Sequence, residues 1–82
     1  MRIYILDDED DIQKRFLKIK LVYNGAIVTG TLSGQIDYIL EDKYNGEMMQ
    51  AIKKYRSENI HSKIVNQAYF SDIFERKNYF NS

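Results

Sequence analysis

Gln35-Ile36-Asp37-Tyr38-Ile39-Leu40-Glu41-Asp42-Lys43-Tyr44 is the stretch on which the fold turns, because it fits two periodicities at once. Ile36, Ile39, Leu40 and Tyr44 are spaced for one face of a helix, whereas Ile36, Tyr38 and Leu40 alternate as on a strand. Downstream, Asn45-Gly46 marks a turn, and Met48, Met49, Ile52 and Tyr55 predict a helix ending near Asn59. Lys63 to Phe70, with Ile64-Val65 and then Ala68-Tyr69-Phe70, reads as a strand. Ser71 or Asp72 then opens a last helix carrying Ile73 and Phe74, with Asp72 and Glu75 at capping-box spacing.

Upstream, Gly30, Ser33 and Gly34 break the pattern, and Ala26-Ile27-Val28-Thr29 reads as a strand. Asn24-Gly25 stops a helix whose stripe is Ile12, Phe16, Ile19 and Tyr23, at spacings of four, three and four. Asp10 or Asp11 can cap that helix. Ile3-Tyr4-Ile5-Leu6 is a continuous apolar run of the kind found in a parallel strand buried on both faces. The order strand–helix–strand, then the ambiguous stretch, then helix–strand–helix, predicts an α/β fold with a parallel sheet. Such sheets bind ligands at the carboxyl ends of their strands, which is where Asp7-Asp8-Glu9-Asp10-Asp11 falls.

The 82 residues suit one domain, and a hydrophobic fraction of 44% argues against disorder. No cysteine is present, so there is neither a disulfide framework nor a thiolate metal site, as expected of a cytoplasmic protein. No apolar run approaches the ~18 residues of a membrane span, and no signal peptide is expected. Twelve basic residues balance twelve acidic ones, which argues against non-specific nucleic-acid binding, since that needs a positive field.

Carboxylates crowded at a strand end repel one another unless a positive charge sits between them, and Mg²⁺ is suited to that role. The simpler reading is a solvated helix N-terminus, where acids are favoured by the helix dipole. One acid of the run is expected to cap, which leaves Asp7 and Asp8 as candidate metal ligands.

The opening Arg2-Ile-Tyr-Ile-Leu-Asp-Asp-Glu-Asp-Asp-Ile12 resembles that of a response-regulator receiver domain. Asn45 to Asn59 resembles the receiver segment running from a turn glycine down the third helix. Ile60 to Asp72 resembles the fourth strand and the start of the fourth helix. Together these segments cover about half the chain. The resemblance implies a three-layer, flavodoxin-like receiver fold, here truncated to three or four parallel strands with flanking helices. It also implies a role in phosphorelay signal transduction: an aspartate phosphorylated by a histidine kinase, Mg²⁺ held by an acidic pair at Asp7 and Asp8, a Ser or Thr after the fourth strand, and a Lys after the fifth.

The departures are as informative. Gln67 stands at the Ser/Thr position, and the fifth strand with its Lys is not among these residues. The middle is short, so two alignments compete. In one, residues 35–44 are the second helix and the third strand with its acceptor is lost. In the other, Asp37 to Asp42 is the third strand and Asp42 the phospho-acceptor. Glu41 fits poorly in a strand buried on both faces and Leu40 to Tyr44 suits a helix end, which favours the first.

The expectation is therefore a receiver-like protein-interaction module, not an enzyme and not itself phosphorylated, whose partner is a histidine kinase, another receiver or another signalling protein. Loss of the fifth strand and helix would bare a sheet edge and part of one face, so a homodimer or a covering partner is expected. One alternative is a compact phospho-acceptor using Asp42 and Mg²⁺. A second is an RNA-binding barrel: Leu17 to Gly34 alternates around Asn24-Gly25 as a hairpin would and looks like the first motif of Sm-like proteins, with Lys18 and Lys20 toward RNA. His61 is expected to be an exposed loop residue and Met48 and Met49 core filler. The glycines form no phosphate-binding loop pattern.

Overall fold

Ile3, Tyr4 and Ile5 are almost completely buried, so the first strand has no solvent face and must be covered on both sides. The computed structural model describes residues 1–6 and 10–72. Within them, β1 (Arg2–Tyr4), β2 (Ile27–Thr29), β3 (Tyr38–Leu40) and β4 (Lys63–Val65) form one parallel sheet in the order β2-β1-β3-β4. Helix α1 (Ile12–Tyr23) joins β1 to β2, and α2 (Gly46–Glu58) joins β3 to β4. A further helix is under way at residues 67–72. The α/β class and the parallel sheet agree with the sequence reading.

The two crossovers step in opposite directions from the centre of the sheet, so right-handed connections put α1 and α2 on opposite faces. Alternation along the strands then sorts the core into two layers. Ile3, Ile5 and Leu40 meet Leu17 and Leu21 of α1, together with Phe70. Tyr4 and Ile39 meet Ile52 of α2, together with Ile36. No helix joins β2 to β3. Residues 30–37 cross β1 on the α2 face as a strap, and Ile36 and Leu32 fill the space a helix would have taken. Gly34 takes φ +67° within this strap, a conformation open to glycine without penalty. Tyr55 of α2 clamps the strap: its hydroxyl donates to the Gly34 carbonyl at 2.7 Å and accepts from the Ile36 N–H at 2.8 Å. From the far side, the buried Ser62 hydroxyl donates to the Ile36 carbonyl.

Several expectations are corrected. Residues 35–44 are not a helix: Tyr38–Leu40 is a strand between β1 and β4. The objection to a strand was a buried Glu41, but the strand ends at Leu40 and Glu41 is exposed. The strand at 63–70 ends at Val65, because Asn66 caps the next helix, its side chain accepting from the Tyr69 N–H at 3.0 Å. Ala68-Tyr69-Phe70 is therefore helical, and Asp72 lies inside that helix instead of opening it. Residues 12–23 are helical, which removes the hairpin on which the RNA-binding barrel depended.

The stripe Ile12, Phe16, Ile19 and Tyr23 does mark α1, but it faces outward, and the buried face is Lys14, Leu17 and Leu21. Of the two methionines, Met48 packs against the core whereas Met49 is more than half exposed. His61 is exposed in a turn, as expected.

Candidate functional site at the carboxyl end of β3

Asp42 follows β3 by two residues, at the carboxyl end of the sheet. The chain reverses direction in α1, so the first turn of that helix lies at the same end. Asp11 is its N-cap, accepting from the Lys14 N–H at 3.0 Å. With the helix start fixed in this way, Lys14 falls on the inward face. Its ammonium forms an ion pair with Asp42 Oδ2, and the two side chains are only 5% and 16% exposed. Asp42 Oδ1 accepts from the Lys43 N–H at 2.7 Å.

Two tyrosines line the inner side of this pair. Burial pushes the Tyr4 phenol above its ordinary value, and the Asp42 carboxylate adds to the effect. Tyr44 is pushed up further, by burial first and then by Tyr4 and Asp42. Its hydroxyl donates to the Leu40 carbonyl, and its ring lies 6.3 Å from that of Tyr4. Folding thus holds the phenol neutral, whereas an unfolded tyrosine ionises near pH ~10. Its contribution is fully present below that pH and lost as pH rises through the raised folded value. Tyr44→Phe is expected to cost about 1 kcal/mol at pH 7 through the lost hydrogen bond. Above pH ~10 the variant should lose stability with pH less steeply than the parent. Urea unfolding followed over that range measures the two slopes.

Beside Asp42, a groove of about 390 Å³ runs between α2 and β4. Met49, Ile52 and Ile64 give it an apolar side, and Glu41, Lys53 and Arg56 supply charges of both signs. Along it lies the edge of the sheet, since β4 pairs only with β3 among the described residues.

Of the residues singled out from the sequence, Asp42 lies in this site. Asp7 and Asp8 lie outside the described residues. Among the described residues no cluster of three or more His, Cys, Asp or Glu side chains could hold a metal ion. Asp42, with one oxygen against an ammonium and the other taken by a backbone N–H, does not fit a ligand for a divalent cation in this arrangement. Lys14 was not anticipated. A signal for it exists in the sequence: it stands three and seven positions before Leu17 and Leu21, on the face they share.

No helix among the described residues is long and apolar enough to cross a membrane. Comparison with protein-family models, with curated proteins and with solved structures gave no significant match.

Proposed function

We propose that the protein is a receiver-like interaction module in which Asp42 has a structural partner and does not accept a phosphoryl group. The Lys14–Asp42 ion pair carries the reading. Phosphoryl transfer to a carboxylate needs an exposed oxygen, and catalysis in such sites comes from positioning together with neutralisation of the phosphoryl charge by a metal ion. Here an ammonium held by α1 supplies the counter-charge to Asp42, and only 16% of the carboxylate side chain is exposed. The receiver-like part of the proposal draws support from the strand order β2-β1-β3-β4, with an aspartate just past the central β3. The interaction part draws support from the groove between α2 and β4 and the open sheet edge beside it, features that accept a partner's extended segment or helix.

The same position of Asp42 favours the second reading, a compact phospho-acceptor that would recruit Mg²⁺ through Asp7 and Asp8. Incubation with a small acyl phosphate and Mg²⁺, read by intact mass, separates the two. No phosphoryl adduct is expected. An adduct of one phosphoryl group that disappears in Asp42→Asn would overturn the proposal.

A further inference from the structure

Helix α1 is apolar on two opposite sides. Its inner face is consumed by the core. Ile12, Phe16, Ile19, Val22 and Tyr23 remain between 57% and 90% exposed. Around the helix axis, Ile12, Phe16, Ile19 and Tyr23 point directly away from Leu17 and Leu21, so they form a ridge standing clear of the domain. Their spacing of four, three and four is the alternation of d and a positions in a coiled-coil seam. Gln13 and Lys20 then flank the ridge at e positions, and Arg15 and Val22 at g positions.

We infer that this ridge is the interface between two copies of the chain, packed with their α1 helices antiparallel about a two-fold axis. The flanking residues select the orientation of such a pair. In a parallel pair, g of one helix faces the following e of the other, which sets Arg15 against Lys20 of the second copy and repels. In an antiparallel pair, g faces g and e faces e. Arg15 then lies against Val22, where its aliphatic stem covers an apolar side chain, and Lys20 lies against Gln13, whose amide oxygen accepts from the ammonium. Neither flank places like charges together, and the arrangement closes as a two-fold pair.

The five exposed side chains offer on the order of 600 Å² per copy, approaching the roughly 800 Å² per partner of a standard interface. Because the ridge is opposite the buried face, the two sheets fall on opposite sides of the helix pair without collision. The inference concerns α1 alone and stands apart from the reading of Asp42.

The test uses the full chain. Sedimentation equilibrium between 5 and 200 µM is expected to show a monomer–dimer equilibrium. Phe16→Glu should raise its dissociation constant by roughly 30-fold or more, while helix content holds, as does the urea midpoint measured at a dilution where both proteins are monomeric. The chain has no cysteine, so orientation can be read cleanly by disulfide trapping. Mixed Ile12→Cys and Tyr23→Cys proteins should form the heterodisulfide in preference to either homodisulfide. Three results overturn the inference: a monomer throughout the range, as when residues 73–82 or another protein cover the ridge; a dimer indifferent to Phe16→Glu; or homodisulfides in excess.

Discussion

Lys14→Met is expected to lower the free energy of unfolding by about 2–4 kcal/mol, the cost of leaving one member of a mostly buried ion pair without its partner. Methionine keeps the length and apolar stem of the lysine, so α1 stays packed and the loss reports the charge. The upper end of the usual range for buried pairs does not apply, because Asp42 keeps some contact with water and its bond from the Lys43 N–H. The double variant Lys14→Met/Asp42→Asn removes the stranded charge and should regain most of the loss. Urea unfolding of the parent, both single variants and the double variant closes the cycle. If Lys14→Met were neutral and additive with Asp42→Asn, the pair would have no structural weight and the case against phosphorylation would lose its support.

Phe70→Ala is expected to be the most damaging single change, at about 3–5 kcal/mol. A chain of 82 residues has roughly 4–12 kcal/mol in total, so this variant should approach the unfolding transition at ambient temperature. The reason is topological. Phe70 is 1% exposed and comes from the helix at 67–72, yet it enters the layer made by α1, Ile3, Ile5 and Leu40. Its ring meets Tyr38 edge-on at 6.0 Å, and Tyr69 completes the cluster through a hydroxyl–hydroxyl bond to Tyr38 at 3.0 Å. After β4 the chain therefore folds back to the face already covered by α1. Loss of the ring opens a cavity and unfastens that return. Tyr69→Ala, at an exposed position, should cost far less. Thermal unfolding of the two variants side by side gives the comparison.

Regular elements were legible in the sequence where one periodicity was unopposed. The run Ile3-Tyr4-Ile5 could only be a buried strand, and Met48 to Tyr55 could only be a helix. Residues 35–44 were not legible, because apolar residues at both spacings coexist there and the deciding fact is where the strand stops. One residue of difference moves Glu41 from an impossible position to an ordinary one. In α1 the periodicity identified the helix but chose the wrong face. Ile12, Phe16, Ile19 and Tyr23 outnumber Leu17 and Leu21, yet the pair meets the sheet while the more numerous set does not. Asp42 was visible as a candidate. Its partner was hidden because a lysine is ordinarily assigned to solvent, and only the tertiary position of α1 brings it inward.

The strap at 30–37 has a consequence for how the chain reaches this structure. Arg2 pairs with Ile27, Ile3 with Tyr38, and Tyr38 with Lys63, so among the described residues every strand contact spans 25 residues or more and no hairpin is present to nucleate the sheet. Such non-local pairing slows folding relative to helical chains of the same length. β1 lies inside the sheet and precedes the other three strands in the chain. It must wait on the ribosome with both edges open until β2, the strap and β3 have followed it out. During that interval, Ile3-Tyr4-Ile5 is an uncharged apolar segment that needs protection from other chains.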